Sequence, residues 1–337
     1  MTTVFLSHPP SMLAAYYGPR ALRALRSVAR VDLNPHEHIP TTAELAQLAH
    51  GAEVIVSYRQ TVGDEALFAS LPRLLAFVRC AVDIRNIDVP AASRHGILVT
   101  QASAGFVPAV SEWVLGAMID LSRSTSDYVV AQRSGHPVPQ RMGRELRHAT
   151  LGLVGHGQIG RYLCDVALAL GMRIVVHDPY VDAVHASVQR VGFDELLATS
   201  DFVVCLAKAT DDNHHLFDAK AFSAMRPDAI FINASRGSLV DEDALRHALD
   251  AGTIAGCALD VGQGPDQMPT PLLAAHPRVL ATPHVGGLTL PAIEHQSMET
   301  VAQVRELLAG REPVGAVNAR EAHRWQRARQ LEKTNLP

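Results

Sequence analysis

The stretch that most restricts what this chain can become lies between residues 151 and 178. An apolar run, Leu151-Gly152-Leu153-Val154, breaks into Gly155-His156-Gly157-Gln158-Ile159-Gly160 and resumes as a helical pattern that ends near Gly171. A second apolar run, Arg173 to His177, then closes on Asp178. Strand, spaced glycines, helix, strand and acid is the local pattern that seats a pyrophosphate on the start of a helix. Gly155 permits the tight turn, Gly157 lets phosphate approach the main chain, and Gly160 lets helix and strand pack closely. The first helical amides, among them those of Gln158 and Ile159, offer N–H groups and the positive end of the helix dipole. Glycines at this spacing also occur in ordinary loops, and it is the flanking strands and the acid that make a dinucleotide the expected ligand. A carboxylate at Asp178 accepts hydrogen bonds from a ribose 2′-hydroxyl and repels a 2′-phosphate, which favours NAD(H) over NADP(H). The same acid also reads as a cap on the Pro179-Tyr180 turn.

A chain of 337 residues is long for one domain and suits two, with apolar content for both cores. Its net charge of −4 comes from nearly balanced acids and bases, which argues against a nucleic-acid or membrane partner. Cys80, Cys164, Cys205 and Cys257 are far apart, three of them in apolar runs, so they read as small buried hydrophobes rather than a disulfide framework or zinc motif. Of seventeen histidines, the pairs His36/His38 and His214/His215 stand in polar stretches without companion ligands, and no metal is expected. The start of the chain lacks the pattern of a signal peptide and no run reaches membrane-spanning length, so a cytoplasmic location is the default.

Along the chain, strands are expected at Val4–Leu6, Glu53–Ser57, Leu74–Val78 and Ile97–Thr100, with helices at Arg20–Val28, Ala43–Ala49 and Asp64–Leu71. The segment His8-Pro9-Pro10 reads as a loop. A buried helix is expected over Val110–Leu121, after a crossing between domains near Thr100 to Val110, and Gly135–Pro139 reads as a turn-rich connection. Beyond Asp178 the alternation continues through strands at Val188, Phe202–Leu206, Ala229–Asn233, Gly256–Val261 and Val279–Thr282. Helices are expected at Phe193–Ala198, Phe222–Met225, Asp243–Ala251 and Pro291–Leu308, the last returning the chain to the first domain. Residues 319–337 read as a charged tail, a solvated helix or frayed end, with a subunit contact as the alternative. Such alternation predicts α/β architecture with parallel sheets, whose ligands gather beyond the carboxyl ends of the strands.

Polar residues stand at such ends. Arg59 follows the second predicted strand, and Ala81-Val82-Asp83 follow the third. In the second half Arg236, Asp260 and His284 each follow an apolar strand. An arginine holds a carboxylate through two parallel hydrogen bonds, and a histidine exchanges a proton near neutral pH. Beside NAD(H), this is equipment for moving hydride to or from a carbon that bears oxygen next to a carboxylate. Taken singly, each residue reads equally as a surface ion-pair former, a turn histidine or a cap.

Gly-His-Gly-Gln-Ile-Gly from Gly155, Asn233-Ala234-Ser235-Arg236-Gly237-Ser238-Leu239-Val240-Asp241-Glu242, Ala258-Leu259-Asp260-Val261 and Thr282-Pro283-His284-Val285-Gly286-Gly287 resemble the signature blocks of the D-isomer-specific 2-hydroxyacid dehydrogenases. The likeness extends to about Asn318 and includes Asn86-Ile87-Asp88 and Ser111-Glu112. It implies two Rossmann-like, doubly wound parallel-sheet domains with a cleft between them. Residues 1–101 with 290–318 would form the substrate domain, 102–289 the NAD-binding domain, and the protein would be a homodimer through the latter. It further implies a small 2-keto or 2-hydroxy acid as substrate, Arg236 as its carboxylate anchor and His284 as acid/base. Asp260 would lie by the nicotinamide end, and Thr210, Ala234 and Gly286 would add cofactor contacts.

The chain departs from that pattern in three places. The family's glutamate five residues beyond the aspartate falls on Pro265, and Asp266 is expected to pair with His284 instead. The glycine-rich loop for the substrate carboxylate becomes Cys80-Ala81-Val82-Asp83-Ile84-Arg85, where Asp83 brings like charge unless it turns outward or pairs with Arg85 or Arg59. Lys208 replaces a common proline, and reads equally as a pyrophosphate contact or a solvated side chain. The leading expectation is an NAD-dependent 2-keto acid reductase. A non-catalytic NAD(H)-sensing protein and a dehydrogenase of another anion such as formate are the alternatives, the first because it tolerates loss of the paired glutamate.

Overall fold

The computed structural model describes residues 2–136, 139–181 and 185–334; Pro137 and Val138 of the predicted turn-rich connection lie outside this range. In chain order the first stretch holds β1 (Thr3–Leu6), α1 (Pro10–Tyr16), α2 (Pro19–Arg26), β2 (Arg30–Leu33), α3 (Thr42–Leu48), β3 (Val54–Ser57), α4 (Glu65–Ser70), β4 (Ala76–Arg79), α5 (Val89–Arg94) and β5 (Leu98–Gln101). The middle holds α6 (Val107–Arg123), α7 (Thr125–Arg133), β6 (Thr150–Val154), α8 (Gln158–Ala169), β7 (Arg173–His177), β8 (Val188–Arg190), α9 (Phe193–Thr199), β9 (Phe202–Cys205), α10 (Ala219–Ala224), β10 (Ile230–Asn233), α11 (Glu242–Asp250), β11 (Gly256–Leu259), α12 (Pro271–Ala274) and β12 (Val279–Ala281). Helices α13 (Leu290–Leu308) and α14 (His323–Thr334) follow. The chain divides into two compact units, one of residues 1–105 with 290–337 and one of 106–289.

In the first unit five parallel strands run in the order β2-β1-β3-β4-β5. Alternate side chains point to opposite faces of a strand. Val4, Leu6, Val54, Val56, Ala76 and Val78 therefore pack on one side with α2 and α13, whereas Phe5, Ile55, Phe77 and Val99 pack on the other with α3, α4 and α5. The order reverses direction between β1 and β3, which opens a crevice at their carboxyl ends, where ligands of such sheets bind.

The second unit is a seven-stranded parallel sheet, β12-β11-β10-β9-β6-β7-β8. Leu151, Leu153, Ile174, Val176, Phe202, Val204, Ile230 and Ile232 face α6 and α8; Val175, Val203, Cys205, Phe231, Cys257 and Leu259 face α9, α10 and α11. Here the crevice falls between β6 and β9, at the glycine turn. All four cysteines are buried and unpaired. Among the described residues no helix is long and apolar enough to cross a membrane, and no three His, Cys, Asp or Glu side chains gather to hold a metal ion.

Several elements differ from the reading of the sequence. The expected loop at His8-Pro9-Pro10 is followed at once by α1, with Pro10 in its first turn, where a missing N–H costs no hydrogen bond. Strand β2 was too polar for its pattern to show, because it pairs at the sheet edge and is nowhere fully buried. Short helices α5 and α7 have weak apolar periodicity. The segment from 319 is not a solvated appendage over its described length. Ala322 and Trp325 lie in the first unit's core and Arg324 donates to the main-chain oxygen of Leu71 at 2.8 Å. Charged neighbours masked that single aromatic anchor. Trp325→Ala is expected to lower the protein's unfolding free energy by about 3 kcal/mol in urea titration, as for other buried aromatic truncations; a free tail would show no change.

Candidate active site

The glycine turn is shaped by close approaches. Gly155 has φ +100°, and a Cβ there would lie 2.6 Å from the Ala207 amide nitrogen, just beyond β9. A Cβ on Gly160 would meet the carbonyl oxygen of Gly155 at 2.6 Å, but one on Gly157 would meet nothing within 4 Å. Gly157 therefore faces open space at the start of α8, whose first turn, with Gln158 and Ile159, has no side-chain cap. This cradle fits a dinucleotide phosphate, which would bring the missing acceptors.

Asp178 accepts from the amide of His156 at 2.7 Å with one oxygen and from that of Tyr180 at 2.9 Å with the other. The expected cap on the Pro179-Tyr180 turn is present, and the same carboxylate also braces the glycine loop. Burial pushes the His156 imidazole below the ordinary histidine range, with the Arg161 charge acting in the same direction. Thr210 lies in the loop after β9, its amide held by Asn213 at 2.8 Å, while the Asn213 side chain donates to the Lys208 carbonyl. Ala234 follows β10 and donates to the Cys205 carbonyl at the end of β9.

Strands β10, β11 and β12 are neighbours, so the residues after them share one edge. Asn233 ties the turn that carries Arg236: its side-chain oxygen accepts from the Ser235 amide and its side-chain nitrogen donates to the Arg236 carbonyl, both at 3.0 Å. Arg236 Nη1 donates to the Ser235 carbonyl at 2.7 Å. Gly237 passes so near Gly262 that any Cβ would collide with its main chain.

Asp260, only 4% exposed, gathers the third turn. Its Oδ1 accepts from the Thr282 hydroxyl at 2.6 Å and the Val285 amide at 2.8 Å, and its Oδ2 accepts from the Gly286 amide at 2.7 Å. Between these contacts His284 is held at φ +56°. Its Nδ1 lies 3.0 Å from the main-chain oxygen of Asp266. A carbonyl only accepts, so Nδ1 carries the proton and the neutral ring keeps its lone pair on Nε2. The expected pairing of His284 with Asp266 thus takes another form: the contact runs through the main chain. Asp266 and Gln267 are themselves left-handed, at φ 54° and 60°, which turns that carbonyl toward the imidazole.

In the first unit Arg59 follows β3, its guanidinium 5.4 Å from the centre of the Tyr16 ring. Asp83 is forked by Arg85, with contacts of 2.6 and 3.0 Å, and this answers the like-charge difficulty of the 80–85 loop. Among the described residues no intramolecular acceptor takes the amide protons of Ala81 and Val82. Two buried groups were not singled out from the sequence. His8, beyond β1, lies between the rings of Tyr17 and Tyr58, and burial together with the Arg79 charge pushes it down to about 3. Arg79, the last residue of β4, is fully buried. The only sequence signal for it was a charge closing an apolar strand.

Comparison with known proteins places this arrangement in a family. A sequence profile of the D-isomer specific 2-hydroxyacid dehydrogenase NAD binding domain matches residues 115–286. The chain is 35% identical over 274 residues to an (S)-sulfolactate dehydrogenase of Chromohalobacter salexigens, covering 80% of this chain and 89% of that one. It is 32% identical over 299 residues to a D-3-phosphoglycerate dehydrogenase of Synechocystis, covering 87% of this chain but 53% of the relative, so it spans about half the length of that protein. The solved structure of the TT0316 protein from Thermus thermophilus superposes with a TM-score of 0.84 at 28% identity, over 94% of this chain and all of that one. The chain belongs to the D-isomer specific 2-hydroxyacid dehydrogenase family, and its second unit holds that family's NAD-binding domain.

Gly157→Ala is expected to leave the melting temperature unchanged, since the new methyl meets no protein atom, yet to weaken NADH about tenfold, or ~1.4 kcal/mol, in a fluorescence titration. Gly160→Ala should instead lower the melting temperature.

Proposed function

We propose that the protein is an NAD-dependent oxidoreductase that reduces a 2-keto acid to a D-2-hydroxy acid and runs the reverse reaction when the equilibrium is reversed. The observation that carries this reading is that Arg236 and His284 follow strands β10 and β12 at the same edge of an NAD-binding sheet, on either side of β11, with His284 Nε2 left as the exchanging nitrogen. Bound NADH supplies the hydride. Arg236 pairs with the substrate carboxylate and polarises the carbonyl. His284, protonated, donates from Nε2 to the developing alkoxide, and the neutral ring takes that proton in oxidation. The Asp266 carbonyl holds the ring in orientation in both states, because Nδ1 donates to it in either.

In the first unit the amides of Ala81 and Val82 and the Arg59 guanidinium are the proposed anion contacts, while Asp83 is occupied by Arg85. The oxygens of Asp178 retain lone pairs for ribose hydroxyls and their charge disfavours a 2′-phosphate, which supports NAD(H) over NADP(H). Cofactor contacts are assigned to Gly155, Gly157, Gln158, Ile159, Gly160, Asp178, Thr210, Ala234, Asp260 and Gly286. A homodimer through the second unit is supported by apolar side chains exposed on or beside α6 and α7, namely Ile119, Val129, Val130 and Met142.

NADH oxidation against glyoxylate, pyruvate, hydroxypyruvate and phenylpyruvate tests the reaction. Turnover of at least one is expected. His284→Asn should cut kcat at least 100-fold, and Arg236→Gln should chiefly raise KM. Tight NADH binding with no turnover of any keto acid would favour a sensor. Val130→Glu is expected to shift the protein from dimer to monomer in sedimentation.

A further inference from the structure

A charge without a partner lies under the first unit's ligand edge. Arg79 is fully buried. Nη1 donates to the Tyr58 carbonyl, and Nη2 to the Thr61 carbonyl at 2.8 Å and to the Asn86 side-chain oxygen at 2.6 Å. All three acceptors are neutral, and Nε has no partner. Burial lowers the guanidinium to about 10, which still leaves it charged at neutral pH. The acid whose field reaches it, Asp83, is forked by Arg85. His8, close enough to feel the same charge, is held neutral. Among the described residues Arg79 is therefore a buried cation whose two Nη groups are hydrogen-bonded but whose charge is not matched.

An unmatched charge away from water costs several kcal/mol, and an apolar side chain of similar volume serves stability as well or better. Arg79 also ends β4, so the chain immediately after it is the Cys80–Asp83 loop, whose Ala81 and Val82 amides have no acceptor among the described residues. Amide protons and a buried positive charge beneath the same loop act on one anion in the same direction, and low local polarity strengthens both.

We propose that Arg79 is an electrostatic positioning residue for substrate: the counter-charge it lacks arrives with the anionic end of the 2-keto acid, bound at the amides of Ala81 and Val82. This rests on the keto acid reading above. Arg79 does not touch the reacting atoms. It sets the potential under the loop and, through Tyr58, Thr61 and Asn86, fixes the two chain segments that frame it. Asn86 completes this frame by donating to the carbonyls of Arg59 and Thr61 at 3.2 and 3.3 Å.

The test separates charge from scaffolding. Arg79→Met removes the charge and keeps the bulk; Arg79→Lys keeps the charge and loses the fork. With the keto acid of the panel that wild type reduces best, Arg79→Met should raise KM at least tenfold with kcat within threefold and NADH affinity unchanged, and Arg79→Lys should stay within threefold of wild-type KM. Equal losses in both variants, or no change in KM for Arg79→Met, would overturn the proposal in favour of a structural arginine. If Arg79→Met does not fold, Arg79→Gln takes its place under the same criteria. Oxalate, a dianion that cannot be reduced, gives a readout independent of turnover. Its calorimetric Kd on the NADH-loaded protein should rise tenfold or more in the neutral variants and not in Arg79→Lys, and failure of wild type to bind oxalate would count against the proposal. Absence of turnover with intact oxalate binding would instead strike the keto acid reading alone.

Discussion

One carboxylate organises the second unit's reactive edge. Asp260 takes three hydrogen bonds from the segment 282–286, and its own amide donates to the Asn233 carbonyl at 3.1 Å. The ends of β10, β11 and β12 are thereby fixed to one another. Each left-handed non-glycine residue costs of order 1–3 kcal/mol, so His284 at φ +56° persists only because the contacts on both sides over-determine it. The same constraint points the imidazole at the Asp266 carbonyl and decides which nitrogen keeps a lone pair. Arg236 is placed by a parallel device one strand away, where Asn233 closes the turn by bonding both sides of it.

The two units follow the same rule with different chemistry. In each, the strand order reverses at an interior point and the polar groups stand beyond the carboxyl ends there. In the second unit the reversal holds a glycine turn and an uncapped helix start, which is a place for phosphate. In the first it holds aromatic rings, the Arg59 guanidinium and a buried cation at the start of a loop whose Ala81 and Val82 amides have no acceptor among the described residues. Both edges carry groups of positive character, the helix start and amides on one sheet and side-chain charge and amides on the other.

What could be read from the residues in order was whatever depends on near neighbours. Strand and helix periodicity gave the parallel sheets, and the spacing of Gly155, Gly157 and Gly160 marked the turn before any contact was known. Arg236, Asp260 and His284 were visible because each interrupts an apolar run. The docking of Trp325 was not visible, since one aromatic among charges has no period. Strand β2 was hidden because an edge strand need not be apolar. Asp266 was expected to act through its carboxylate, and the geometry supplies its main-chain oxygen, which every residue type carries and no sequence can single out.

By itself, then, the sequence determined the class of fold, the glycine turn and the kinds of side chain at the strand ends, because these follow from local periodicity and residue chemistry. Only the tertiary structure decided which groups are matched and which are not. Asp83 is neutralised by Arg85, Asp178 serves two amides at once, His8 is buried uncharged, and Arg79 is enclosed with neutral oxygens alone. Burial and partnership are set by chain segments far apart in sequence, and for a charged group those two quantities fix its energy.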